Sequence, residues 1–278
     1  MLILALSTWA LMGRAAAHTP ERQAPGTPPV WCTVAAEQPT VTVGEPLWLR
    51  MECENRSAVE RDLDFQTGSG VGWHGSPEMA TLACFPLSDV QNVPPGRVAI
   101  SVGSHVTIRA LLNRWSGMMK PGSYRLRLVD CAGAFNRDFK GGPSLSNEVA
   151  FSVLPLDEQR LERICKDLEG QALDRAAPTG ARLQAAEALS WVDLPLAVPY
   201  LHAVMLEARN GVSALAVQGL GRMGSPQAVR VLVEAYEKDP FLGMTIATTL
   251  YTMHPTGLDA ELQGRVNYIL QHPIKIEH

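Results

Sequence analysis

The chain has no hydrophobic run long enough to cross a membrane. Its longest, residues 2–12 (LILALSTWALM), has eleven residues, against the ~20 that a helical span needs. An excess of one charge is missing as well, with 24 Lys and Arg against 28 Asp and Glu. Residues 18–156 hold 12 basic and 13 acidic side chains, and residues 157–278 hold 11 and 15. Neither part forms the basic surface that a phosphate backbone requires, so no nucleic-acid partner is expected. Gly and Pro together make 43 of 278 residues, too few for a low-complexity or collagen-like chain. There is no G-x-S-x-G, no H-E-x-x-H and no C-x-x-C, and no His stands at zinc-ligand spacing from a cysteine pair. No catalytic residue, cofactor or metal is therefore assigned, and the chain is read as non-enzymatic.

What is present begins with that short run. Ala15-Ala16-Ala17 follows it as a small-residue cleavage site, so residues 1–17 are expected to be a signal peptide. One element of such a signal is absent: no Lys or Arg precedes the run, and Arg14 follows it. Residues 18–29, with four prolines, read as a flexible leader. With the signal removed, no integral membrane segment remains, and the protein is expected to be exported, periplasmic or secreted.

From residue 30 to 155 the dominant period is two. Thr40-Val41-Thr42-Val43 runs into a Gly44-Glu45-Pro46 turn, and Leu47–Cys53 then alternates apolar and polar residues. Val106–Leu111, Ser123–Val129 and Glu148–Val153 repeat the pattern, with Gly- and Pro-rich turns between. Seven or eight short half-buried strands with this punctuation predict an antiparallel β-sandwich. The Gly-Glu-Pro turn, the strand ending Cys53-Glu54-Asn55, then Leu112-Asn113-Arg114-Trp115, Lys120-Pro121-Gly122-Ser123-Tyr124-Arg125 and Ser146–Val153 resemble the immunoglobulin-like domains of exported bacterial proteins. The resemblance implies an immunoglobulin-like sandwich and no antibody-like recognition.

Five cysteines fit an oxidising compartment: Cys32, Cys53, Cys84, Cys131 and Cys165. The first four allow three connectivities. Alternation turns Cys32 and Cys53 inward on the first strands, which favours Cys32–Cys53 and, with it, Cys84–Cys131. Cys165 instead follows Leu161 and Ile164 and precedes Leu168 at helical spacing, as an unpaired thiol in a helix core.

Beyond Pro155 the period becomes 3.6. Ala188–Leu201 aligns with Gly219–Leu232 at an offset of 31 residues, matching Leu189/Leu220, Pro195/Pro226, Ala197/Ala228, Val198/Val229 and Leu201/Leu232. A weaker third copy sets Leu250 and Met253 against Leu220 and Met223. The pattern predicts helix, tight turn with Pro, second helix, in three to four stacked pairs over 157–272. It looks like a HEAT-type repeat in its short bacterial form. The chain is thus read as multidomain all-β plus all-α: an immunoglobulin-like β-sandwich over 30–155 and a HEAT-like α-solenoid over 157–272.

Other candidates are weaker. The Gly68–Ser76 segment, with Trp73 and His74, reads as a long loop; Asp62 and Asp64 read as a solvated strand face; Met118 and Met119 read as packing filler; Asn55-Arg56-Ser57 matches a glycosylation acceptor. The favoured function is a scaffold that binds another protein through the solenoid face. Two alternatives are carbohydrate or envelope-polymer binding by the sandwich, through Trp48, Trp73 and Trp115, and kinship with the HEAT-like phycobilisome lyases that act on bilin pigments. Export argues against the last.

Overall fold

The structure is a computed structural model. It describes residues 30–64, 70–76, 79–86, 97–116, 119–131, 144–145, 148–209, 211–253, 255 and 257–272. The expected signal peptide and leader lie outside the described residues. Among these residues, the first part of the chain forms eleven strand segments: β1 Val30–Ala36, β2 Thr40–Thr42, β3 Trp48–Asn55, β4 Arg61–Asp64, β5 Gly70–Ser76, β6 Met79–Pro86, β7 Arg97–Ile100, β8 His105–Leu111, β9 Gly122–Cys131, β10 Ser144–Leu145 and β11 Glu148–Leu154. A one-turn helix, α1 Asn113–Ser116, follows β8.

The strands form one sheet in the order β10-β1-β3-β8, a second in the order β2-β11-β9-β5-β6, and the pair β4-β7. Alternation decides which residues face inward. Val30, Cys32 and Val34 of β1 and Met51 and Cys53 of β3 meet Tyr124 and Leu126 of β9 and Val149, Phe151 and Val153 of β11 in a single apolar core. Tyr124 stacks on Phe151, with ring centroids 5.4 Å apart, and its hydroxyl donates to the Lys120 carbonyl at 2.6 Å.

Two expectations need correction here. The pairing is not wholly antiparallel: β1 runs parallel to β10, and β2 runs parallel to β11. The chain leaves one sheet after β1 and joins the other at β2, so β2 meets the last strand running the same way. The Gly-rich segment around Trp73 and His74 is not a loop either. It forms β5, paired on one side with β6 and on the other with β9. Gly70, Gly72 and Gly75 hide the alternation that would mark a strand, and the register shifts against β6 break the period further.

Seven helices follow: α2 Glu158–Leu173, α3 Thr179–Ser190, α4 Val198–Glu207, α5 Gly211–Met223, α6 Pro226–Lys238, α7 Pro240–Met253 and α8 Ala260–Gln271, with a 3-10 turn Pro195–Ala197 before α4. Their starts are written in the sequence. Asp157, Ser225 and Asp259 accept hydrogen bonds from the backbone N–H three residues on, at 2.9, 3.2 and 2.8 Å. Gly224, at φ 59°, follows the last residue of α5.

The helices form three antiparallel pairs, α2–α3, α4–α5 and α6–α7, and a single α8. First helices pack on first helices and second on second, which makes two layers. Eight of the ten residues matched across the 31-residue offset form the seam between the layers: Leu189, Leu220, Ala197, Ala228, Val198, Val229, Leu201 and Leu232 are all buried, while Pro195 and Pro226 are exposed at the turns. Helix α5 lies at the centre, against α3, α4, α6 and α7. It fits because it lacks side chains where its neighbours come nearest. A Cβ on Gly219 would lie 2.8 Å from Ser190 Cα, and one on Gly221 would strike the Thr249 methyl group.

The two parts of the chain meet over a polar and an apolar seam. Gly44, at φ 83°, presses so close to the helices that a Cβ would lie 2.7 Å from Leu194 Cδ1 and 3.2 Å from Leu161 Cδ2. Beside it, buried Glu45 accepts from the Thr42 N–H at 2.9 Å and pairs with Arg160 of α2 at 3.0 Å. Thr42 holds the connecting segment from both sides, donating its hydroxyl to the Pro155 carbonyl and accepting from the Asp157 N–H at 2.9 Å. Asn113 locks the same turn from behind, accepting from the Leu47 N–H at 2.7 Å. The apolar seam is Trp48 and Leu111 against Ala188 of α3.

Two measurements check this account. Gly219→Ala lowers stability by about 1–3 kcal/mol, because overpacking outweighs the helix propensity gained. Gly264→Ala, in α8 with open space around it, raises stability by about 0.5–1 kcal/mol; thermal unfolding of the two variants reads opposite signs. The Cys32–Cys53 bridge, whose residues are opposite one another across β1 and β3 and fully buried, resists dithiothreitol in the folded protein and yields only in denaturant. Peptide mapping after alkylation distinguishes these states.

Candidate functional site

The α5–α7 seam leaves a groove on the outside of the helical layers. Its volume is about 680 Å³, and it lies where the end of α4 turns into α5 and α7 crosses above. Met205, Ala208 and Leu242 make an apolar floor, while Arg209 and Asp239 stand at the rim. Phe241 borders it with 86% of its surface exposed. An aromatic ring in water beside a hollow with an apolar floor and a polar rim is the usual anatomy of a contact surface. Asp239 accepts from the Phe241 N–H at 2.9 Å, and Phe241 lies in the first turn of α7.

A second group of polar side chains lies at the seam between the two parts. Glu187 of α3 is buried, and its carboxylate meets Arg114 of α1 at 3.4 Å. Arg222 of α5 reaches the same region, bonding Asp193 at 3.1 Å and the Ser190 carbonyl, with its guanidinium over the Trp191 ring. Burial raises the Glu187 carboxyl to about 7, despite the opposing pull of Arg114 and Arg222. Arg109 bridges the two parts nearby: it donates to Glu37 at 2.6 Å and to Gln184 of α3 at 2.8 Å, and stacks over Trp48. These groups are bonded to one another and hold the parts together; none is aimed into open space as a reacting group would be.

The residues singled out from the sequence fall apart in space. Cys32 and Cys53 are bonded, within one sheet rather than between sheets. β5 runs between the strands that carry Cys84 and Cys131; the side chains of these two cysteines lie outside the described residues, as do those of Asp62, Asp64, Trp73, His74, Trp115 and Met118. Cys165 is buried in α2, and burial pushes its thiol up to about 12, the reverse of what a nucleophile needs. Met119 is packed into the β core. Trp48 is committed to the seam with α3 and cannot stack on a sugar. Asn55 is fully buried, donating to the Val59 and Ile100 carbonyls at 2.8 and 2.7 Å; a glycan has no access to it. Among the described residues no group of three or more His, Cys, Asp or Glu could hold a metal ion, and no helix is long and apolar enough to cross a membrane.

Sequence reasoning missed Phe241, Arg209 and Glu187. The signal for Phe241 was present: Phe241, Met244, Thr248 and Tyr251 recur at helical spacing on a second face of α7, opposite the buried one.

Residues 170–253 match the family model for HEAT repeats. A comparison with curated proteins gives no match. Among solved structures, the chain is similar to the alkylpurine DNA glycosylase AlkC of Pseudomonas fluorescens, bound to DNA containing an abasic site analog, at 12% identity and a TM-score of 0.29. That likeness covers 46% of this chain and 31% of the glycosylase, so the chain spans about a third of its length. It is also similar to the CARDB domain of a Pyrococcus furiosus protein in complex with di-metal ions, at 9% identity and a TM-score of 0.29, over 50% of this chain and 97% of that one. The C-terminal part of the chain is thus a helical repeat region of HEAT type.

The raised Glu187 sets a sign for pH dependence. The folded state holds the proton more tightly than the unfolded chain, whose carboxyl titrates near 4.5. The neutral form's advantage is therefore complete below pH 4.5 and is lost as pH rises through about 7. Glu187→Gln stabilises the protein at pH 7.5, by up to about 3 kcal/mol, and has little effect at pH 4.5. A melting-temperature difference that does not shrink on acidification contradicts this.

Proposed function

We propose that the protein is an exported, non-enzymatic interaction protein that binds another protein through the outer face of its HEAT-like solenoid. One observation carries the reading: Phe241, largely exposed, stands beside a hollow with an apolar floor and a charged rim. Aromatic residues flanking a desolvated pocket are where binding energy concentrates in protein interfaces. The β region, read as an immunoglobulin-like sandwich, then serves as the cap and anchor of the repeat region rather than as the binding element, since its Trp48 is spent on the seam. Export is supported by the short apolar run at residues 2–12 and by the buried Cys32–Cys53 bridge, a kind of bond that persists in oxidising compartments.

Crosslinking capture from an envelope and secreted extract tests the reading, using the wild-type chain beside Phe241→Glu and Arg209→Glu. A protein recovered by wild type and lost to Phe241→Glu is the expected result. Equal recovery by both, or recovery of nothing specific, removes the groove from consideration.

A further inference from the structure

Leu189, Leu220 and Leu250 are buried at matching places of the second helices α3, α5 and α7. Eleven residues before them stand Pro178, Arg209 and Asp239, and nine before them Gly180, Gly211 and Phe241. Proline serves at the first place before α3, and glycine at the second in α3 and α5, so stacking alone calls for neither the Arg209 charge nor the Phe241 ring. Arg209, Asp239 and Phe241 depart from the repeat, and all three border the one groove.

The two charges are also unspent. Arg160, Arg182, Arg222, Arg230 and Arg265 each bond a carboxylate or a carbonyl. The Arg209 side chain makes no hydrogen bond or ion pair among the described residues. Asp239 uses Oδ1 on the Phe241 N–H, and Oδ2 accepts no bond among the described residues. The two groups line the same groove without pairing with each other. They hold one place before neighbouring helices, so their backbones lie about 8–10 Å apart, the spacing of packed helices. The groove between them has the apolar floor of Met205, Ala208 and Leu242.

We propose that this groove takes the C-terminus of a protein chain whose last three residues are a base, any residue and an apolar residue. The α-carboxylate meets Arg209, the last side chain enters the floor, and the base meets Asp239. The proposal rests on the protein-binding reading above and names what that partner presents.

Charge and length select this occupant. A purely acidic segment sets like charge against Asp239, and a purely apolar one strips water from Arg209 without replacing it. An extended chain rises about 3.3 Å per residue, so three residues cover the gap. Its side chains alternate, so the last residue and the one two before it face the groove together. An acidic side chain within a longer strand cannot do the same. Its apolar neighbour points to the opposite face, and an acid, an apolar residue and a base on one face need a rise of about 13 Å. A chain end has its carboxylate and its apolar side chain on one carbon, and a guanidinium binds such a carboxylate with two parallel hydrogen bonds. The Phe241 ring then covers the seated segment from water.

Calorimetric titration of the full chain with three N-acetylated peptides reads the proposal: Gly-Lys-Ser-Leu with a free carboxylate, the same peptide as its C-terminal amide, and Gly-Glu-Ser-Leu with a free carboxylate. The first binds, and the other two bind about tenfold more weakly. Arg209→Gln removes the difference between acid and amide. Asp239→Asn, which keeps an acceptor for the Phe241 N–H, removes the difference between the Lys and Glu peptides. Equal binding within either pair by the wild-type chain, or no binding of the first peptide, overturns the proposal. If the chain then still captures a protein that Phe241→Glu loses, the groove remains a protein site and only its C-terminal specificity falls. If capture fails as well, both readings fall.

Discussion

Close approach without a side chain is the constraint on which the rest of the structure depends. At Gly219 and Gly221 the central helix has neighbours nearer than a methyl group allows. Those contacts set the spacing of α3, α5 and α7, and that spacing sets how deeply the apolar seam between the layers is buried. Gly44 does the same where the sheets meet the helices. In all three places the chain gives up local preference: two glycines in a helix interior cost roughly 1 kcal/mol each in propensity. Packing returns more, since the seam they permit excludes water from the matched leucines, alanines and valines of the repeat.

The junction adds chemistry to this geometry. Glu45, Thr42, Asn113 and Arg160 bond around one turn, and the connecting segment is held by Thr42 at both Pro155 and Asp157. Trp48 and Arg109 extend the contact to α3. A repeat array needs its end faces covered, and here the covering element is a sheet whose own outer residues are shaped for the task.

The helical region is readable from sequence because its logic is local. Residues 31 apart share an environment, so Leu189 and Leu220, or Val198 and Val229, advertise the same burial. Strands with strict alternation, β3 above all, are legible for the same reason. β5 is not, because glycine removes the very side chains whose alternation is read. The parallel pairings of β1 and β2 depend on a crossing between sheets that no local pattern encodes. Glu187 is hidden differently: as one acid within a helix it looks solvated, and its partner Arg114 is 73 residues away in sequence. Phe241 could have been found, since its face of α7 has helical spacing, but two apolar faces on one helix are ordinarily taken as one buried helix.

In α5, Gly219 faces back toward Ser190 of α3 and Gly221 forward toward Thr249 of α7, and this has a consequence for how such a chain can change in length. Every helix pair inserted between α3 and α6 repeats the same back-and-forward contacts, so it advances the far end by one helix diameter, about 8–10 Å, and leaves the sheet–helix junction untouched. The array therefore behaves as a ruler with its zero mark at Ala188. The distance between the β region and the Phe241 groove is counted in whole helix pairs, adjustable by duplication without redesign of either end.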